Sequence, residues 1–431
     1  MNFAYFITRK VARFGQQSFS RLIIRFAVIT VALSVTVMIA STALIAGFKK
    51  EISSKIFGFW GHIHISDSGV SRSILEAKPI SKYQDFYPSM DTIRQVSYFD
   101  YEEWRGKEIT VEKKSREGIR HVQVFAVKPG IIQANEEIEG IILKGVDQDF
   151  DWKFILSYIK EGTVLNLQDS VMSNEILISR QTANRLKVGV GDKFTIHFPE
   201  KNEQRKRRFT ICGIYKTGLE EYDQKFALVD IRQVQQLSDW KEDEISGFEV
   251  FLDDIEDLDV ITNYVYYDIL PPTLYAEKIS EKFSEVFDWL DLQDINEVVI
   301  IALMLVVAII NMITALLILI LERTNMIGIL KALGSTNWTV RKIFLYYAGY
   351  IVLAGLFWGN LLGLGLCFLQ DTFGFIKLSE ENYYLSVAPV DINWLAVLFL
   401  NAGTLVVTVL ALIIPSYLIT RISPVKAIRF K

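Results

Sequence analysis

The chain has 431 residues, 51% of them hydrophobic, with 46 basic and 50 acidic side chains and a net charge of −4. That balance leaves no overall basic footprint, which argues against a nucleic-acid partner. Two cysteines make no disulfide framework, and Cys212 and Cys367 read as small apolar fillers.

Residues 1–21 set Phe3, Phe6, Ile7, Val11 and Phe14 at helical spacing among Arg9, Lys10 and Arg13. This is the pattern of a basic amphipathic helix on a membrane surface, or of a disordered basic start. Apolar runs follow at 26–47, 298–321, 343–370 and 392–419. Each exceeds the roughly 20 helical residues that cross a bilayer core. The sequence therefore predicts a membrane protein with four transmembrane α-helices at 22–47, 297–321, 343–370 and 392–419. A large α+β extracytoplasmic domain, 48–296, lies between the first and second spans. The first apolar run is longer than a signal-peptide core and is expected to persist as a span.

Charge placement gives the orientation. Residues 1–25 carry Arg9, Lys10, Arg13, Arg21 and Arg25 and no acid. The 322–342 link carries Arg323, Lys331, Arg341 and Lys342 against Glu322, and the 420–431 tail carries Arg421, Lys426, Arg429 and Lys431 with no acid. The 371–391 loop is acidic. The positive-inside rule then puts both termini and the 322–342 link in the cytoplasm, with 48–296 and 371–391 outside. The expected location is a bacterial inner membrane, with 48–296 periplasmic.

Within 48–296, strand-like patterns stand at 121–127, 139–144, 175–179, 193–198, 208–215, 225–229 and 247–252. Helical patterns stand at 89–97, 180–187, 230–240 and 255–267, and 277–290 reads as an amphipathic helix returning to the second span. Val188-Gly-Val-Gly-Asp192 is a turn whose glycines suit positive φ, and Pro271-Pro272 is a rigid break.

Catalytic signatures are missing. Gly106-Lys107-Glu108 lacks the spacing of a phosphate-cradling loop, so the chain is not expected to hydrolyse ATP. There is no nucleophile elbow and no zinc-protease helix. His62 and His64 share one side of a strand, which reads as half a metal site or as ordinary half-exposed strand. Only His121 and His197 remain to complete a site, so no metal is assigned. Lys201-Asn-Glu-Gln-Arg205-Lys206-Arg207-Arg208 is a solvated hairpin tip, or a loop that docks a soluble partner or anionic head groups. In the spans, Asn311 either bonds across a helix interface or returns to its own backbone. Gly355, Gly359, Gly363 and Gly365 permit close helix approach.

The link between the second and third spans is the most specific stretch. Met326, Ile327, Leu330 and Leu333 form an apolar stripe at helical spacing, and Gly334 is a helix stop. A short half-apolar helix there is expected to find only the membrane or another protein to pack on.

Glu322-Arg323, followed after three intervening residues by Ile327-Gly-Ile329-Leu330-Lys331-Ala-Leu333-Gly334, is similar to the coupling segment of FtsX-like ABC permeases. These include the lipoprotein-releasing (Lol) and MacB types. The likeness extends to the layout of one span, a large outer domain, three spans and a basic tail. It also extends to Gly47-Phe-Lys-Lys-Glu-Ile52, to Ile142-Leu-Lys-Gly-Val-Asp147, to 176–192 and to the tail Ser423-Pro-Val-Lys-Ala-Ile-Arg429. The resemblance implies a MacB-like periplasmic core with porter-like and sabre-like parts. Two permease chains, identical or related, would pair with two copies of a separate ABC ATPase. ATP and magnesium would sit on that partner, and no cofactor on this chain.

Glu322, Arg323, Met326, Ile327, Ile329, Leu330, Lys331, Leu333 and Gly334 would face the ATPase, so Leu330→Asp should uncouple it without unfolding the chain. Ala40, Leu44, Met304 and Asn311 would be packing or cargo-facing positions in the first two spans. The cargo would be a lipoprotein, its acyl chains held between permeases amid membrane lipid and passed to a periplasmic carrier. Lol permeases that recruit the carrier carry a long proline-containing hook where this chain has a short basic loop at 198–209 with Pro199 alone. Its partner residues would be Pro199, Lys201, Arg205, Lys206, Arg207 and Arg208. The expected function is thus a non-catalytic permease subunit that extracts lipoproteins. The alternatives are an FtsX-like mechanotransmitter that activates a cell-wall hydrolase, and a membrane-anchored adhesion or sensor domain without an ATPase.

Overall fold

The computed structural model describes residues 18–69, 78–104, 107–134, 137–168, 171–199, 204–379 and 383–422. Most of the amphipathic start, Lys201 and the tail motif at 423–429 lie outside the described residues.

In chain order the elements are α1 (Ser18–Trp60), β1 (Ile63–Asp67), β2 (Ile80–Ser81), β3 (Ser97–Trp104), β4 (Lys107–Lys114), β5 (Ile119–Ala134) and β6 (Glu137–Val146). Then come α2 (Lys153–Tyr158), β7 (Ile159–Gly162), β8 (Glu175–Ser179), α3 (Arg180–Leu186), β9 (Lys193–Pro199) and β10 (Gln204–Tyr215). Next are α4 (Glu220–Lys225), β11 (Phe226–Asp230), α5 (Ile231–Leu237), β12 (Glu244–Ile245), β13 (Gly247–Leu252), α6 (Leu258–Tyr264) and β14 (Leu274–Lys278). The chain closes with α7 (Ile279–Lys282), α8 (Ser284–Glu322), α9 (Thr324–Ala332), α10 (Asn337–Phe373), α11 (Trp394–Ala411), α12 (Ile413–Ser416) and α13 (Leu418–Arg421). Two compact units result. One comprises 1–51, 289–377 and 387–431, the other 52–288 and 378–386.

The first unit is helical. Among the described residues, α1, α8, α10 and the run 394–421 are long and apolar enough to cross a membrane. Its core joins Val31, Val35, Met38 and Ile39 of α1 to Ile343, Phe344, Ile351 and Val352 of α10. The α10 glycines set that contact. A Cβ on Gly355 would fall 2.6 Å from Val31 Cβ, one on Gly359 2.7 Å from Val35 Cβ, and one on Gly363 3.2 Å from Ile39 Cβ. Thr36 Oγ1 donates to the Gly359 carbonyl at 3.2 Å across the same seam. Helices in lipid gain from such close backbone approach because hydrocarbon gives little reason for apolar side chains to associate. Gly365 faces open space.

Polar contacts tie the remaining helices. Asn360 Nδ2 donates to Asn401 Oδ1 at 2.7 Å, and Asn401 Nδ2 returns a bond to Asn360 Oδ1 at 2.9 Å, joining α10 to α11. Thr42 donates to Glu297 at 2.8 Å and Lys49 to Asp294 at 2.6 Å, joining α1 to α8.

The second unit is built on a ten-stranded mixed sheet, ordered β14-β1-β13-β5-β6-β11-β8-β10-β7, with β9 paired to both β10 and β5. The β11–β6 and β10–β8 pairs are parallel and the rest antiparallel. Helix α3 starts at Ser179, whose Oγ accepts the Thr182 N–H, and α5 starts at Asp230, which accepts the Arg232 N–H. Lys187 (φ 54°) and Gly191 (φ 91°) close the turn into β9.

Two expectations are corrected. Residues 89–97 form only a 3-10 turn, Ser89–Thr92, before β3 begins. Long-range bonds take that backbone instead: Ile93 accepts from Ile119 N at 2.8 Å, and Val96 N donates to Ser115 Oγ at 2.8 Å. Residues 277–290 are not one helix either. Leu274–Lys278 is the edge strand beside β1, with Glu277 opposite His64, and α8 starts only at Ser284.

Replacing Gly359 by leucine forces a side chain onto Val35 and the Ala32 carbonyl. It should cost about 1–3 kcal/mol or more, the range for overpacking, and lower the melting temperature of the detergent-solubilised chain. Gly365→Leu should leave that temperature unchanged. Equal behaviour of the two variants would contradict the seam.

Candidate functional site

Helix α9 follows Arg323 and ends at Gly334, whose φ of +88° reverses the chain. The Ser335 N–H donates to the Leu330 carbonyl and the Gly334 N–H to the Lys331 carbonyl, both at 3.0 Å. This is the Schellman pattern that glycine favours.

The expected apolar stripe divides here. Ile327 is fully buried in the core formed with Val340 and Phe344, and Met326 and Leu330 pack on it half-buried. The helix therefore does have a surface of its own chain to pack on, contrary to the sequence reading. Ile329 is 52% exposed and Leu333 78%, one turn apart on the other side. Glu322 is exposed at the end of α8 and Gly334 at the turn. Arg323 Nε is buried without a hydrogen-bond partner among the described residues. Lys331 turns inward to the carbonyls of α13. Trp338, 51% exposed on the first turn of α10, adds an apolar surface that the sequence reading missed. Its place beside the Thr336 N-cap was the available signal.

Ala40, Leu44 and Met304 are half-buried, and Met304 packs on the helical core. Of its two expected choices, Asn311 takes its own backbone, donating to the Val307 carbonyl at 2.9 Å.

In the sheet unit, the basic run lies on β10. Arg205 grips Asp239 with two bonds of 2.8 and 2.6 Å, and Arg207 donates to Gln236. Lys206 and Arg208 alternate to the opposite side and are exposed, as is Pro199 at the end of β9. Strand periodicity thus splits the run into two pinned and two presented cations.

The same unit contains a buried charge cluster that the sequence reading did not assemble. Lys144 on β6 and Glu249 on β13 have no exposed side-chain surface, and their charged atoms lie 2.7 Å apart. Gln123 on β5 donates to the second Glu249 oxygen at 2.7 Å. Lys144 also donates to the Phe59 carbonyl at 2.5 Å, and its ammonium lies 4.6 Å from the Trp60 ring centre. His64 Nε2 donates to the Trp60 carbonyl at 2.9 Å. Two of the last carbonyls of α1, which have no partner within the helix, are thereby capped from the sheet.

Burial lowers the Lys144 pKa; at Glu249 burial acts upward, but the Lys144 charge and His64 together outweigh it and hold the carboxyl below its ordinary value. His64 is pushed down to about 4 by burial, and His62 to about 3 by burial and the Arg120 charge. The half-exposed strand expected for the two histidines is therefore corrected for His64, whereas His62 is half-buried in the bend just before β1. His64 is 1% exposed, and His62 stacks on Phe57 and accepts from the Leu252 N–H.

The sequence signature of the MacB-like periplasmic core domain matches residues 26–265, and that of the FtsX-like permease C-terminal region matches 298–424. The chain belongs to the FtsX-like ABC permeases that carry a MacB-like core. The permease is 23% identical to the lipoprotein-releasing system transmembrane protein LolE of Haemophilus influenzae, over 99% of each chain. It is 22% identical to the corresponding LolC of Xylella fastidiosa, over 94% of this chain and 93% of the relative. The LolC of Neisseria meningitidis serogroup B is also 22% identical, over 93% and 92%. The permease thus has four membrane-spanning helices and an extracytoplasmic α+β domain, and it is a non-catalytic membrane subunit.

Removing one partner of a buried ion pair strands the other. Lys144→Met should destabilise the permease by about 3–5 kcal/mol, and adding Glu249→Leu should restore most of it. Thermal unfolding of the two variants in detergent tests this.

His64 gives a pH dependence of known sign. Its folded pKa of about 4 lies below the ordinary 6.5. Unfolding therefore takes up a proton between those values, and stability falls as pH drops from 6.5 to 4. The ceiling is roughly 3 kcal/mol at 1.36 kcal/mol per unit. Asp223, raised to about 6 by burial, works in the opposite direction. The stability difference between wild type and His64→Gln isolates the histidine share and should narrow across this window.

Proposed function

We propose that this permease is the transmembrane subunit of a mechanotransmitting ABC transporter. It extracts lipoproteins from the bacterial inner membrane for transfer toward the outer membrane, powered by an ATPase on separate chains. The observation that carries the reading is likeness along essentially the whole chain to lipoprotein-releasing transmembrane proteins. The exposed Ile329 and Leu333 on α9 support it, because they offer an apolar foothold for a partner protein.

In this reading both termini and α9 are cytoplasmic, as the basic segments favour. Two ATPase copies hold ATP and magnesium and grip the α9 helices of two permease chains. ATPase closure moves α1, and the capped end of α1 passes the movement to the sheet. Lipoprotein acyl chains enter beside the first two spans, near Ala40, Leu44 and Met304. Lys206 and Arg208 are the exposed cations of the short loop that stands where carrier-recruiting permeases have a long hook.

The structure also selects the variant that tests the ATPase contact. Leu330 packs on the permease core, so Leu330→Asp would disturb folding as well as docking. Ile329→Asp and Leu333→Asp charge only the exposed face. Each should reduce co-purification of the ATPase and ATP-driven lipoprotein release by about tenfold or more, equivalent to a lost apolar anchor, with the melting temperature unchanged. Full ATPase capture by the double variant would overturn the docking role. A wild-type complex containing a cell-wall hydrolase and no lipoprotein would overturn the exporter reading.

A further inference from the structure

Lys331 lies on the last turn of α9, and its ammonium bonds α13. It donates to the Ile419 carbonyl at 2.6 Å and the Ile422 carbonyl at 2.8 Å, with the Thr420 carbonyl at 3.5 Å. Those carbonyls lie where the helical run of the fourth span ends and intrahelical donors run out, although the Ile419 carbonyl also takes the Ile422 N–H at 3.3 Å. A cation is favoured there because the aligned peptide dipoles leave partial negative charge at a helix C-terminus. An ammonium has three donors, and three carbonyls surround this one.

The direction of Lys331 matters as much as its bonds. At about 100° per residue, Lys331 points roughly 160° away from Leu333 around the α9 axis. Ile327, buried in the core, lies on the Lys331 side. Helix α9 thus shows an exposed apolar face outward and bonds the fourth-span end on its inward side. A second cation grips the same end. Arg341 at the start of α10 donates to Ser416 Oγ at 3.0 Å and to the Ile413 carbonyl at 3.3 Å, and its guanidinium stacks 3.7 Å from the Tyr417 ring centre.

We infer that Lys331 is a positioning residue that latches α9 to the end of the fourth span, so that a partner moving α9 moves the fourth span with it. The inference rests on the proposed coupling role of α9. It makes the fourth span, and not the third alone, the first membrane element to respond. Lys331 then belongs to the transmission inside the permease rather than to the surface a partner touches.

The test uses the full complex reconstituted with its ATPase and a lipoprotein. Lys331→Met keeps the length and apolar stem and removes the donors. It should capture the ATPase as wild type does and keep basal ATP hydrolysis. Lipoprotein release per ATP hydrolysed should fall about tenfold, within the range of coupling between two sites. Lys331→Arg, which keeps a charged donor, should recover at least half of it.

A covalent substitute gives the second measurement. With Cys212 and Cys367 replaced by alanine, Lys331→Cys with Ile422→Cys should be poorly coupled as free thiols and regain coupling when joined by a short thiol-specific bridge. Wild-type release by Lys331→Met overturns the latch. So does loss of ATPase capture by that variant, failure of the variant to accumulate in the membrane, or a bridge that restores nothing. If the wild-type permease captures no ATPase at all, the coupling reading itself falls, and that outcome is distinct from all of these.

Discussion

Two opposite charges without exposed surface, Lys144 and Glu249, hold the centre of the sheet domain. Isolated charges in such a place would cost several kcal/mol each, and their pairing, the Gln123 amide and the Phe59 carbonyl offset that cost. Lys144, Gln123 and Glu249 come from β6, β5 and β13, three adjacent strands at the middle of the sheet. A slip of one residue in any of these registers would turn its charged or amide group to the opposite face. The pair therefore fixes register as well as position. It also fixes the end of α1, because the lysine donates to the Phe59 carbonyl as well.

The helical unit follows a different rule. Burying apolar side chains gives little stabilisation among hydrocarbon, so close approach and the occasional polar pair decide which helices meet. Gly355, Gly359 and Gly363 bring α10 against Val31, Val35 and Ile39 of α1. Lys49 and Thr42 bind α8 through its acidic end. The surrounding large apolar side chains, such as Phe357, Leu361 and Phe368, stay outward.

Much of this was legible in the sequence, and the failures have physical causes. Four long apolar runs and the strands at 175–179 and 247–252 were readable because their periodicity is strong. Three of the four glycines of the third span meet α1, whereas Gly365 does not, since spacing alone does not give the rotation of a helix. The 89–97 segment has helical periodicity, yet bonds from Ile119 and Ser115 claim its backbone. The α9 stripe was visible as a face, but periodicity does not say what a face packs against, and Ile327 and Leu330 turn to their own core. Lys144 and Glu249 stand 105 positions apart in a chain read singly. A lone lysine in Ile142-Leu-Lys-Gly-Val-Asp147 looks like solvent-facing strand until its partner is known. The presented side of the basic run was recoverable from the two-residue strand period, once the run was placed on β10.

The exchanged amides of Asn360 and Asn401 remove a degree of freedom from the membrane part. Each amide is donor and acceptor to the other, so translation of α11 along α10 by a single residue would break both bonds together. In hydrocarbon no water replaces them, and each stranded group would cost about 1–3 kcal/mol. Sliding is thereby disfavoured while joint tilting is not. The exchanged amides thus hold the third and fourth spans in one register along their length.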